Sequence, residues 1–145
     1  MGKQNMYDHS IRMPLLISGP RVPKGKKVHE LVYQHSLFAT TCDLAGVPIP
    51  KEVEFPSLAD LLKNRGNEKH DAVFSYFQNS QRAVRTKEHK LVVYPQAGMT
   101  QLFDLKRDPW EIANLAEKPA YSAVKTRLTA RLQRFQRELG DELNG

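Results

Sequence analysis

The chain has 145 residues, 40% of them hydrophobic and 26% charged, and its formal net charge is +6. This balance is typical of a globular protein, and no apolar run approaches the ~18 residues that a membrane-spanning helix requires, so neither a disordered chain nor a membrane partner is predicted. The single cysteine excludes an internal disulfide and a thiolate metal cluster, while the positive charge admits an anionic partner without identifying it.

The first segment, "GKQNMYDHSIRMP", carries the densest group of polar side chains. The ammonium group of Lys3 is a compact cation suited to a sulfate or phosphate oxygen, and Asp8 can pair with Arg12 to hold the segment. The alternative interpretation is a solvated tail, because chain termini are usually poorly ordered. If Met1 is the true start, no secretory signal is predicted, and the compartment stays unknown.

The stretch from Met13 to Ser18 is apolar on both faces, which predicts a strand covered on both sides, as in an α/β sheet. Open edges and apolar faces on such a strand predict either a homodimer formed through it or disorder of about the first 20 residues. A loop with four cationic residues follows at 21–27.

Apolar residues between His29 and Ala45 recur near helical spacing, which predicts one helix or two short ones. Gly46 stands where a helix commonly ends in left-handed backbone, and Ser57 is placed to cap a short helix over 58–64. Cys42 lies within the apolar pattern and is predicted to be a buried small hydrophobic residue rather than a nucleophile. Residues 1–66 contain too few strands to complete a sheet, so they are predicted to be the last strand and helices of a larger α/β domain that is incomplete in this sequence.

The second half contains short runs rich in β-branched and aromatic residues, which predict an antiparallel meander over 71–78, 82–88, 90–95 and 101–105. A turn at 108–111 is expected to pack Trp110 beneath it. Beyond the turn, apolar residues in steps of three and four predict an amphipathic helix: Tyr121, Val124, Leu128, Leu132, Phe135 and Leu139. Residues 67–145 are therefore predicted to form an α+β subdomain, a small four-stranded antiparallel sheet packed against a long C-terminal helix.

Common catalytic and cofactor motifs are absent, and the five histidines follow no metal-ligand spacing: His9, His29, His35, His70 and His89. Several arginines lie on the last helix, but acidic residues follow them and no aromatic residues are interleaved for base stacking. We predict that these arginines form a solvated face and that the chain binds no nucleic acid.

Four ordered motifs resemble those of one enzyme family. "GKQNMYDHSIRMP" is similar to the pattern GK-x-x-x-Y-(D/E)-x-x-x-R-x-P, and "YQHSLFATTCDLAG" is similar to D-L-x-P-T-x-x-D-L-A-G, with Ser36 and Ala39 replacing Asp and Pro. "RAVRTKEHK" resembles R-x-V-R-T-x-x-Y-K, and "LFDLKRDPWEIANLA" resembles L-Y-D-L-x-x-D-P-x-E-x-x-N-L-A, with His89 and Phe103 in place of Tyr. Together these motifs resemble the carboxy-terminal portion of type I, formylglycine-dependent sulfatases in the alkaline phosphatase superfamily.

The resemblance implies hydrolysis of a sulfuric ester in a sulfated small molecule or saccharide, with calcium as the metal of the full-length family enzyme. The family's C/S-x-P-S/A-R nucleophile motif and its metal ligands precede the matched portion. Neither has a counterpart here, since Cys42 is followed by Asp-Leu-Ala-Gly. We therefore expect a chain that begins in the middle of an active site, holds no cofactor and is catalytically incomplete alone.

By the same resemblance, Lys3 would contact the sulfate group as the surviving catalytic position. His9, Asn79 and Arg82 would line the substrate pocket. The alternative from another functional class is a noncatalytic module that binds sulfated or other polyanions through Lys3 and the basic loop at Lys24–Lys27.

Overall fold

The computed structural model describes residues 4–20, 22–63 and 70–141, and it groups the chain into two compact units. One unit joins the segment that ends at Pro14 to the part that begins at Ala72, and the other runs from Leu15 to Asp71. The sequence-based division into 1–66 and 67–145 differs from this grouping in the first residues. The reason is that Met6, Tyr7 and Ile11 pack on the sheet formed by residues 72–104.

The sheet of the first unit is an antiparallel meander in which each strand pairs with the next along the chain. Its strands are β1 (Ala72–Phe77), β2 (Gln81–Thr86), β3 (His89–Tyr94) and β4 (Met99–Asp104). All four lie close to the runs predicted from sequence, and the long helix α4 of this unit spans Ser122–Leu139. The predicted α+β class is thus confirmed.

Neighbouring side chains of each strand point to opposite faces of the sheet, so the sheet has two apolar faces. Helix α4 covers one of them, where residues of the sheet and the helix form a single buried cluster that includes Phe74, Val84, Leu91, Leu102, Leu128 and Leu132. The alternate strand residues form the second cluster on the opposite face, namely Ala83, Val92 and Phe103. Burial on both sides is what makes this sheet the core of the unit.

The amino-terminal segment, defined here as residues 4–12, covers the second face of the sheet. It contains the short helix α1 (Asp8–Ile11) and buries Met6 in the second cluster. Tyr7 and Ile11 pack partly against the same cluster. The unit is therefore a layered structure in which the sheet lies between α4 and the amino-terminal segment.

Helix α4 confirms the predicted amphipathic pattern over most of its length, but the apolar stripe ends before Leu139, which is 61% exposed. Gly140, with φ 63°, ends the helix in left-handed backbone immediately after it. The chain then returns towards β2, where Asp141 pairs with Arg82. Among the described residues, no helix has the length and apolar character needed to cross a bilayer.

The second unit contains helix α2 (Ser36–Ala45) and helix α3 (Ala59–Leu62). The predicted helix therefore begins at Ser36 rather than His29, and Gly46 ends α2 with φ 75°, as predicted. The Ser57 hydroxyl accepts a hydrogen bond from the Ala59 N–H at 3.0 Å, but the N-cap residue of α3 is Leu58 rather than the predicted Ser57. Cys42 is free and half-buried in α2 rather than fully buried.

The strand predicted from Met13 to Ser18 is wrong: this stretch has no strand pairing, and Leu16 is 90% exposed. A strand needs a hydrogen-bonding neighbour, and the four strands of the described residues pair only with one another. The apolar side chains of the stretch consequently remain uncovered. The homodimer expected through it stays a prediction.

Candidate functional site

A buried ion cluster joins the amino-terminal segment to the sheet. Lys90 on β3 is 0% exposed, although lysine is almost never fully buried unless it is paired. Its ammonium group forms ion pairs with Asp8 and with Glu111, the latter at 2.5 Å, and donates a hydrogen bond to the Met6 carbonyl oxygen at 3.0 Å. These contacts attach the segment to β3 through both a side chain and the backbone.

Arg85 on β2 completes the cluster from the neighbouring strand. Its Nη2 lies 3.0 Å from the Asp8 Oδ2, and its Nε lies 3.1 Å from the Asp8 Oδ1. The predicted pairing of Asp8 with Arg12 is the outermost contact, at 4.0 Å. Two cations therefore face two carboxylates in the buried part of the cluster, so the charges balance.

Glu111 reaches the cluster from the turn that follows β4. Its carboxylate accepts a hydrogen bond from the Asp8 backbone N–H at 2.6 Å, and its backbone lies in the left-handed region with φ 57°. The Asp108 carboxylate shapes the turn by accepting hydrogen bonds from the N–H groups of Ile112 and Ala113, each at 2.8 Å. Trp110 does not pack beneath the turn as predicted, since it is 80% exposed and Glu111 is the buried residue.

Two tyrosines and a glutamine line the same face of the sheet. Tyr7 and Tyr94 donate hydrogen bonds to the Gln101 Oε1, at 2.9 and 3.1 Å. Burial and the nearby Tyr7 raise the pKa of Tyr94 to about 12. The Tyr94 hydroxyl therefore acts as a donor at neutral pH, and His9 stacks on the Tyr7 ring with 5.6 Å between ring centroids.

The site residues predicted from sequence occupy different places. Lys3 lies outside the described residues, His9 is exposed beside Tyr7, and Asn79 is exposed in the turn between β1 and β2. Arg82 is buried on the α4 side of the sheet, where its Nε and Nη2 donate to the two Asp141 oxygens at 2.6 Å. His9 and Arg82 thus lie on opposite faces of the sheet and are not brought together.

Sequence reasoning missed the residues that hold the segment, namely Lys90, Arg85 and Glu111. A signal for Lys90 was present in "KLVVYP", because strand alternation places Lys90 on the same face as Val92. A charged side chain at an inward position requires a buried partner. Nothing in the local sequence identifies that partner as Asp8, which is 82 residues away.

The donor set does not fit a calcium ion. Among residues 4–20, 22–63 and 70–141, no three His, Cys, Asp or Glu side chains group closely enough to hold a metal ion. Calcium binds several carboxylate or carbonyl oxygens at once, whereas the carboxylates of Asp8 and Glu111 are already neutralised by Lys90 and Arg85. The two buried carboxylates of the cluster therefore do not form a calcium ligand set.

We expect the stability of the chain to fall in acid because of two aspartates. Burial opposes the ionisation of Asp8, but hydrogen bonds from Arg85 and Lys90 outweigh it and lower the pKa of Asp8. A hydrogen bond from Arg82 lowers the pKa of Asp141. The unfolded chain consequently binds more protons near pH 4, so the stabilisation is complete above roughly that pH and is lost as the pH falls below it.

Urea unfolding measured from neutral pH down to roughly pH 3 checks this expectation. The free energy of unfolding should decrease as the pH falls, and Asp141→Asn should show a smaller decrease than the unsubstituted chain. A free energy of unfolding that is constant over this range would contradict the assignment of these two carboxylates.

Comparisons with known proteins place the chain among sulfatase carboxy-terminal regions. Residues 1–138 match the family described as N-sulphoglucosamine sulphohydrolase, C-terminal. A Delta 4,5-hexuronate-2-O-sulfatase from Bacteroides thetaiotaomicron is 34% identical over 131 residues, which are 83% of this chain and 27% of that protein. The chain spans about a quarter of the length of the curated relatives that it matches.

Solved structures show the same relation. The structure of a 2-O GAG sulfatase has a TM-score of 0.60 and 32% identity, covering 70% of this chain and 24% of its own. A phosphonate monoester hydrolase from Silicibacter pomeroyi has a TM-score of 0.81 and 23% identity, covering 94% of this chain and 31% of its own. The second similarity shows the fold alone.

Proposed function

Because the chain belongs to the family of N-sulphoglucosamine sulphohydrolase carboxy-terminal regions, within the sulfatases of the alkaline phosphatase superfamily, we propose that it serves as the carboxy-terminal region of an enzyme that hydrolyses a sulfated saccharide. In this role Lys3 contacts the sulfate group. His9, exposed on the same stretch of sequence, is available to the substrate.

The observation that carries this proposal is the attachment of the amino-terminal segment to the sheet. A solvated tail would leave Asp8 and Met6 exposed, whereas both are buried and bonded to Lys90. The polar residues that the structure describes from Gln4 to Arg12 therefore belong to an ordered surface. An ordered surface next to Lys3 in sequence is what a sulfate-binding position requires.

The substrate class follows from the relatives and from charge. The names of two relatives specify a hexuronate-2-O-sulfatase and a 2-O GAG sulfatase, both of which refer to sulfated saccharides. A net charge of +6 favours an anionic substrate. We propose a saccharide with an O-sulfate group as the substrate of the whole enzyme.

We expect no sulfatase turnover from the isolated chain. Covalent catalysis requires an activated nucleophile, and the family's nucleophile motif has no counterpart in the 145 residues. The measurement is release of 4-nitrophenol from 4-nitrophenyl sulfate, with and without added calcium, using heat-unfolded protein as the control. Calcium-dependent turnover by a preparation free of other sulfatases would contradict the proposed incompleteness.

The sulfate contact of Lys3 is tested separately by binding. Isothermal titration measures binding of a 2-O-sulfated heparin disaccharide, and Lys3→Ala should weaken it. The unsulfated counterpart serves as the comparison ligand. Lys24→Ala is the matched control, because Lys24 is exposed and lies in the other unit. Equal affinities for the Lys3 and Lys24 variants would remove Lys3 from the site.

The noncatalytic polyanion module remains the second candidate, and one observation favours it. Lys24 and Lys27 are exposed, whereas Lys26 donates to the backbone carbonyl oxygens of Leu61 and Leu62. Two exposed cations close together in sequence can attract a polyanion without recognising its structure. This candidate predicts that binding depends steeply on salt. It also predicts that the double variant Lys24→Ala/Lys27→Ala weakens binding, whereas Lys3→Ala does not.

A further inference from the structure

The buried ion cluster is not explained by stability alone. Moving charges out of water has a large free-energy cost, and well-packed apolar residues of similar size often stabilise a protein equally well or better. A leucine or methionine at position 90, together with uncharged residues at positions 8 and 111, would continue the apolar face formed by Val92 and Phe103. What the charged cluster adds is a defined partner for each group, and each of Lys90, Arg85 and Glu111 has a partner in the amino-terminal segment.

The contacts hold the backbone of the segment at alternate residues. The Gln81 Nε2 donates to the Gln4 carbonyl oxygen at 3.1 Å, and the Met6 N–H donates to the Gln81 Oε1 at 3.2 Å. Lys90 donates to the Met6 carbonyl oxygen at 3.0 Å, and the Asp8 N–H donates to Glu111 at 2.6 Å. Backbone contacts fix where the chain runs, whichever side chains it carries.

The backbone of Glu111 has a conformation that is unfavourable for a residue with a side chain. A residue other than glycine at φ 57° is uncommon, and such conformations persist where the surroundings determine them. Hydrogen bonds to Asp108 hold the turn on both sides of Glu111, and the Glu111 carboxylate contacts Lys90 and the Asp8 N–H. The outlier therefore lies where the turn meets the amino-terminal segment.

We propose that Lys90 and Glu111 are positioning residues that fix the amino-terminal segment on the sheet and so fix the substrate-facing residues at the start of the chain. This inference rests on the proposed function. The two residues touch no substrate: they act through Asp8 and the Met6 carbonyl, and His9 follows Asp8 directly. Loss of either one should release the segment before it unfolds the sheet.

The test is amide hydrogen exchange of the whole 145-residue chain with Glu111→Gln. The amide oxygen of glutamine can still accept from the Asp8 N–H, but the charge that pairs with Lys90 is lost. We expect protection of residues 6–11 to fall on the order of tenfold more than protection of β2 and β3. A merely structural role would lower protection equally in the segment and the sheet, and that result would overturn the inference.

Asp141→Asn is the matched control, because it weakens the buried Arg82 pair on the α4 face. It should leave the protection of residues 6–11 unchanged relative to the sheet. If Glu111→Gln does not fold, the double variant Lys90→Met with Glu111→Gln replaces it, since this change removes both positioning residues and leaves Asp8 paired with Arg85. Unchanged protection of the segment in the variant that folds would also overturn the inference.

Titration of the same variants with the 2-O-sulfated heparin disaccharide separates the two proposals. Affinity should fall in Glu111→Gln in parallel with the protection of the segment, and Asp141→Asn should bind as the unsubstituted chain does. If Lys3→Ala binds the disaccharide unchanged, the proposed sulfate contact fails, while the exchange result still decides whether Lys90 and Glu111 position the segment.

Discussion

Lys90→Met is expected to lower the free energy of unfolding by about 3–5 kcal/mol, because it removes the cation that two buried carboxylates share. Methionine matches the stem of lysine in length and flexibility, so the change leaves little empty space beside Val92. The loss therefore arises from charge. Asp8 would keep Arg85, but Glu111 would be left buried with no opposite charge among the contacts described for it.

Urea unfolding of Lys90→Met measures this effect, with Lys106→Met as the matched control. Lys106 pairs with Glu88 at the exposed surface, where ion pairs contribute about 0–1 kcal/mol. Adding Glu111→Gln to Lys90→Met should restore part of the stability, since it removes the unpaired charge. Equal losses at positions 90 and 106 would show that the cluster is not buried as described.

The antiparallel sheet and α4 could be predicted from sequence because their signals are local. Each strand shows alternation over about six residues, and turn-forming residues separate the strands. Helix α4 repeats its apolar positions every three or four residues over five turns. In both cases the residues that determine the element lie within it.

The attachment of the amino-terminal segment could not be predicted, because its determinants are far apart in sequence. Asp8 is 77 residues from Arg85 and 103 residues from Glu111. The same holds for Arg82, because its partner Asp141 lies 59 residues away. The pocket role predicted for Arg82 came from motif resemblance and not from this pairing. Local patterns show that a charge needs a partner but not which residue provides it.

Two local predictions failed for a different reason, namely that apolar composition does not ensure burial. The stretch from Met13 to Ser18 has the composition of a buried strand, but no neighbouring strand pairs with it among the described residues. Trp110 lies in a turn whose direction is set by Asp108 and by the left-handed backbone of Glu111. Side-chain direction in such a turn depends on φ, which composition does not reveal.

Leu128→Ala is expected to lower the free energy of unfolding by about 2–5 kcal/mol. Leu128 is 1% exposed and lies in the cluster that joins α4 to the sheet, with Val84, Leu91 and Leu102. Removing its side chain loses apolar contact and leaves a cavity that the neighbouring strands cannot fill without moving. Thermal and urea unfolding both measure the change.

Leu139→Ala makes the same chemical change in the last turn of the same helix, so the two variants differ in burial rather than in helix propensity. Because Leu139 is exposed, its loss should change the free energy of unfolding by less than about 0.5 kcal/mol. A large loss at Leu139 would mean that the apolar stripe continues to the end of α4, as the sequence alone predicted. A small loss at Leu128 would mean that α4 does not supply the core of this unit.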